Sequence, residues 1–114
     1  MDLKYHTTLT PERWAAFGFS RQILMIANEL NRAGSWLEKN DIAEAKRNYE
    51  RAFELIYLTI LFQKSSSRLK ELLRFKELLA ELYVDDAPAF EQNAALLNVL
   101  IMFDKDSYAA LSPG

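Results

Sequence analysis

The chain has 114 residues, 50% of them apolar and 26% charged, with a formal net charge of −2. That length makes one domain, spanning 1–114, with a modest core; the lack of cysteine removes disulfides, thiolate metal sites and a cysteine nucleophile. A single histidine, three glycines and three prolines leave little for triad chemistry or a many-stranded fold, and the weakly acidic balance argues against a protein that coats nucleic acid.

Residues 1–9 have no apolar run of signal-peptide length and read as an N-terminal arm. Thr10-Pro11-Glu12 is a helix start: Thr10 caps, Pro11 suits the first helical position and Glu12 faces the positive end of the dipole. Apolar residues then recur at Ala16, Phe19, Ile23, Ile26, Leu30, Ala33 and Leu37, which predicts one helix about seven turns long that ends at Lys39-Asn40. Asp41, with Glu44 three residues on, opens a second helix whose stripe is Ile42, Ala45, Tyr49, Ala52, Phe53, Ile56 and Ile60. The short connection makes these two helices an antiparallel hairpin. Ser65-Ser66-Ser67 offers caps for a third helix carrying Leu69, Leu72, Leu73, Phe75, Leu79, Leu82 and Tyr83. Asp85-Asp86-Ala87-Pro88 is a further stop and start, followed by a fourth helix from about Ala87 to Asp104 with Phe90, Ala94, Leu97, Leu100 and Ile101 inward. Residues 108–114 read as a loose tail. The expected fold is all-α, an up-down antiparallel four-helix bundle with short loops. No apolar run approaches the roughly 20 residues of a membrane span, so no membrane association and a cytoplasmic location are expected.

The outer faces are more apolar than a lone bundle needs. Opposite the core stripe of the first helix lie Trp14, Gly18, Met25 and Trp36, and the end of the second helix adds Leu58, Leu61 and Phe62 beside Phe17. Contiguous apolar surface of this kind marks an interface. Trp14, Phe17, Gly18, Met25, Trp36, Leu58, Leu61 and Phe62 are therefore the candidate interface, with a homodimer as the first expectation and a protein partner as the second. The opposing reading has the arm, Leu3 to Leu9, and the tail, Tyr108 to Leu111, fold back over this surface. The fourth helix carries Ala95, Val99, Met102 and Phe103 off its inward face, which leaves open whether it packs within the chain or across a dimer.

Chemistry is sparse. His6 lies on the arm and reads as solvated, so a Ser-His-Asp arrangement has no support, and no helix holds a histidine for a di-iron site. Glu29, Glu50 and Glu54 sit near Arg32 and Arg51 and read as ion pairs. No catalytic, cofactor-binding or metal-ligating residue is nominated, and the chain is expected not to be an enzyme. The alternative function is RNA binding by the basic third helix through Lys64, Arg68, Lys70, Arg74 and Lys76; Phe75, the nearby aromatic that could stack on a base, falls on the apolar face instead.

The hairpin over residues 19–62 carries Ala27, Leu30 and Ala33, then Trp36-Leu37-Glu38-Lys39-Asn40-Asp41, then Ala43, Ala45, Tyr49, Ala52 and Phe53. This pattern resembles the HEPN superfamily of small helical bundles. The resemblance implies dimerisation and, for many members, RNA cleavage. The superfamily's ribonuclease motif is an Arg followed four to six residues later by His, and no histidine follows Arg47 or Arg51 here. The implied relationship is to a non-catalytic member. The second helix is also similar to that of a tetratricopeptide repeat, and the helix order to small flagellar export chaperones, which clamp a partner helix.

Overall fold

The computed structural model describes residues 3–102. Its five helices are α1 (Pro11–Ala16), α2 (Phe19–Glu38), α3 (Ile42–Leu61), α4 (Ser66–Val84) and α5 (Phe90–Met102). No strand occurs among the described residues. The loose tail and the last turn expected for the fourth helix lie outside them.

The predicted first helix is two helices. Gly18 takes φ +80°, a left-handed backbone that no α-helix contains. It ends α1 and caps α2, and its carbonyl accepts the Gln22 N–H at 3.1 Å. The break turns α1 back over α3. Trp14, expected on the outer face, is fully buried, and its indole N–H donates to Thr59 Oγ1 at 2.9 Å. The Trp14 carbonyl accepts the Phe17 N–H at 3.2 Å and also Gln22 Nε2 at 2.8 Å, so a side chain of α2 adds a second hydrogen bond at the end of α1. Ala16, expected in the core stripe, is exposed because that stripe is interrupted before α2 begins.

The other boundaries follow local chemistry. Thr10 Oγ1 accepts from Arg13 N–H, Asp41 Oδ1 from Glu44 N–H and Ser65 Oγ from Arg68 N–H. Glu44 does not complete the box; its carboxylate pairs with Arg47. At the end of α2, Asn40 takes φ +60°, Asp41 N–H donates to the Trp36 carbonyl at 2.9 Å and Asn40 N–H to that of Leu37 at 3.0 Å. This is a Schellman stop with asparagine in place of glycine. The helix expected from about Ala87 starts at Phe90, where Gln92 Oε1 accepts the Ala89 N–H.

α2 and α3 form the principal contact, α5 packs mainly on α2 and α4 mainly on α3. Leu30, Ala33, Tyr49, Ala52, Ile56, Leu72, Leu79 and Leu100 meet in one core. The register of the hairpin is fixed by Asn48 Nδ2, which donates to Glu29 Oε1 at 3.1 Å. α5 is held within the chain. Asn93 Oδ1 accepts the Tyr49 hydroxyl at 2.7 Å, and Asn93 Nδ2 donates to the Leu30 carbonyl at 2.9 Å. Gly34 permits this approach, since a Cβ there would lie 3.0 Å from Asn93 Nδ2 and 3.4 Å from the Phe90 ring. Leu73 and Phe90, expected inward, are exposed, because the stripe of α4 that meets α3 is narrow and Phe90 lies at the rim of the α2–α5 contact.

Tyr49→Phe deletes the donor to Asn93 and leaves a buried acceptor unsatisfied. The expected cost is about 1–3 kcal/mol, read as a lower denaturant midpoint at unchanged slope.

Candidate functional site

Two sites emerge: a polar cluster that fastens the arm, and a set of apolar surfaces left uncovered. The polar cluster is built on α3. Glu54, read as an outward ion-pair partner, is 4% exposed. Its carboxylate accepts the backbone N–H groups of Lys4 (3.0 Å), Tyr5 (2.9 Å) and His6 (3.1 Å), and His6 Nδ1 lies 3.1 Å from Oε1. One turn earlier, Glu50 accepts hydrogen bonds from the Tyr5 hydroxyl and, at 2.6 Å, from the Tyr83 hydroxyl of α4. Arg51 lies over the Tyr5 ring at 4.7 Å, and Leu3 and Leu9 pack on the core. The arm is thus a strap across α3, and His6 is half-buried rather than solvated.

Electrostatics follow from these bonds. Burial alone would raise the pKa of Glu54, but the arm's N–H groups and the His6 side chain outweigh it and hold the carboxyl below its ordinary value. The Tyr5 and Tyr83 hydroxyls do the same for Glu50, and their own pKa values rise because each donates to that carboxylate. Burial pushes the Tyr49 hydroxyl up. Of the ion pairs expected near Arg32 and Arg51, only Glu29–Arg32 forms among the described residues, at 3.1 Å within α2. Asn48 Oδ1, beside Glu29, is buried without a hydrogen-bond partner.

The structure disperses the eight candidate interface residues. Trp14 and Leu58 are buried in the chain's own core and present no surface. Met25 and Trp36 are half-buried and three turns apart on α2, with Lys39 over the Trp36 ring at 5.0 Å. Gly18 is exposed at the break. Phe17, Leu61 and Phe62 stay exposed near one another: Phe17 packs edge-on to Trp14 at 5.9 Å, Trp14 bonds Thr59, and Leu61 and Phe62 follow within a turn. A second apolar surface lies between α4 and α5 around Leu78 and the exposed Val99, with Met102 exposed further along α5 and Leu73 exposed on the other side of α4. Cavities of about 350 and 200 Å³ line it on either side of Leu78.

The five cations of the alternative reading, Lys64, Arg68, Lys70, Arg74 and Lys76, are all exposed. Phe75 is buried and offers no ring for stacking, and Arg68 lies over the Phe19 ring at 4.3 Å. Among the described residues no three His, Asp or Glu side chains gather as a metal site, and no helix is long and apolar enough to cross a membrane. Comparison with protein-family models, curated proteins and solved structures finds no match for this chain. The sequence pattern of α3 shows Glu50 and Glu54 one turn apart, but nothing in it shows that the arm returns to cover them.

Glu54→Ala should free the arm at a cost of about 1–3 kcal/mol, seen as loss of shift dispersion for the Lys4, Tyr5 and His6 amides in NMR spectra. Because the folded pKa values of Glu50 and Glu54 lie below the unfolded ones, the stability they contribute is present above the ordinary carboxylate range. It is lost as pH falls through the folded values. An acid titration should therefore release the arm amides before the core amides of α2 and α3.

Proposed function

We propose that this chain is a non-catalytic helical interaction module, its four long helices forming an up-down bundle, and that it pairs with a second copy of itself through the outer face of α4. One observation carries the reading: the charges of that face are self-complementary. Lys70 and Arg74 are exposed at i,i+4, as are Glu77 and Glu81. Each like-charged pair is unfavourable on a lone helix. Among the described residues none of the four has an ion-pair partner.

A twofold axis crossing α4 between Phe75 and Lys76 resolves both repulsions. It sets Lys70 opposite Glu81, Leu73 opposite Leu78 and Arg74 opposite Glu77 of the second copy. The two leucines flank the charged line, and the exposed Val99 and Met102 of α5 extend the apolar area beside it. Such an isologous pairing is the commonest form of soluble assembly. The resemblance of the hairpin to HEPN bundles, whose members commonly dimerise, agrees with it.

The test is light scattering on the intact chain and on two charge variants. The unaltered chain should have twice the monomer mass. Lys70→Glu/Arg74→Glu and Glu77→Lys/Glu81→Lys should each be monomeric alone, and should form a mixed dimer when combined. An unaltered chain that is monomeric, or variants that stay dimeric, would sink the reading. Nucleic acid travelling with the peak would favour the basic face of α4 as an RNA contact.

A further inference from the structure

The arm does not lie flush on α3. Between them is an open cleft of about 430 Å³, lined by Leu3 and Leu9 of the arm, Pro11 of α1, and Tyr57, Leu58 and Leu61 of α3. The side chains of its walls are apolar apart from Thr7 and the Tyr57 hydroxyl, and about half of its exposed lining is polar. Leu61, at its mouth, is 50% exposed, and Phe62 beyond it is 46% exposed. The exposed Leu61 and Phe62 form a shelf at this end of the α2–α3 hairpin, and Phe17, edge-on to the buried Trp14 at 5.9 Å, is exposed at the same end.

Cations border this apolar surface. Arg13 reaches the arm, donating to the Thr8 carbonyl at 3.3 Å. Arg21 lies over the Phe17 ring at 5.2 Å, Lys64 follows Leu61 by three residues, and Arg68 joins from the first turn of α4. Among the described residues none of these four has a carboxylate within ion-pair distance. The acids of the arm's own site, Glu50 and Glu54, are turned inward and saturated by Tyr5, Tyr83, His6 and backbone N–H groups, and Glu12 is the one carboxylate of α1. The opposite end of the molecule carries Glu38, Asp41, Glu81, Asp85 and Asp86, so the charge is polarised along the helices.

We propose that the arm–α3 cleft and its shelf bind a short acidic segment of a partner protein, one large apolar side chain of which enters the cleft at Leu61 while flanking Asp or Glu residues meet Arg13, Lys64 and Arg21. The apolar insertion supplies affinity, and the unpaired cations select the sign of the flanks and speed encounter. A second copy meeting this surface symmetrically would face the same cations, which disfavours self-pairing here and separates this site from the face of α4.

The experiment is selection of random peptides displayed on phage against the full chain, followed by anisotropy titration of the enriched peptides. Enrichment of one large apolar residue flanked by Asp and Glu is expected. Leu61→Glu should weaken binding about tenfold or more, with an unchanged melting temperature because the side chain already meets water. Arg13→Glu/Lys64→Glu should weaken it too, and added salt should do the same. No enrichment, enrichment of basic peptides, or binding indifferent to Leu61→Glu would overturn the proposal. So would an intact chain that binds nothing while Asp104→Asn/Asp106→Asn binds, since the occupant would then be the chain's own residues 103–114. Leu61→Glu should leave the mass by light scattering unchanged, and Lys70→Glu/Arg74→Glu should leave peptide binding unchanged, so this site and the dimer fail separately.

Discussion

The left-handed backbone at Gly18 sets the geometry of everything on the N-terminal side of the molecule. A residue with a Cβ would resist φ +80° by roughly 1 kcal/mol or more, and a continuous helix from Thr10 would carry Trp14 and the arm away from α3. The break reverses this. Trp14 is driven under the chain and finds Thr59 for its indole N–H, and the arm that precedes α1 is delivered across α3 at the level of Glu50 and Glu54. A carboxylate as buried as Glu54 would cost several kcal/mol if left alone. Three backbone N–H groups and an imidazole fill its acceptor sites instead. One glycine thus links a helix break, a buried aromatic, a fastened arm and the cleft beneath it.

A second group of polar residues does comparable work between helices. Apolar stripes tolerate small slips along a helix axis, whereas a hydrogen bond between buried side chains does not, since a displaced partner leaves a desolvated group unpaired. Glu29–Asn48 pins α2 to α3, and Tyr49, Asn93 and the Leu30 carbonyl pin α5 to both. The last lock is eased by Gly34, since a Cβ there would sit 3.0 Å from Asn93 Nδ2 and crowd its approach to the backbone of α2. Asn48 Oδ1, beside Glu29, has no protein hydrogen-bond partner.

Helix class, most caps and the core stripes of α2 and α3 were legible in the sequence because they rest on neighbours within four residues. Thr10, Asp41 and Ser65 cap where their side chains predict. What escaped depends on distant partners. Gly18 sat within an apolar period that continued on both sides of it, and periodicity has no term for a reversed φ. Glu54 and His6 looked like solvent-facing groups because their partners are some fifty residues apart in sequence. Trp14 and Leu58 were legible as large apolar groups needing cover. The cover came from the chain itself, and of the surface predicted around them Phe17, Leu61 and Phe62 remain open together.

The charge order of α4 is a different kind of information, since it sets like charges four residues apart. Exposed helices gain when opposite charges fall four residues apart, yet here Lys70 precedes Arg74 and Glu77 precedes Glu81. A parallel copy in register would place like charges side by side and add to the repulsion, while an antiparallel copy centred between Phe75 and Lys76 converts every one of them into an opposite pair. The same pattern therefore favours one orientation and opposes the other. Leu73 and Leu78 exchange places under the same axis, so the apolar and charged requirements select one register rather than two. Such pairs would sit at the rim of an interface and contribute modestly to affinity. In the proposed pair their main effect would be on orientation, while burial of Leu73, Val99 and Met102 would supply the larger share of the binding free energy.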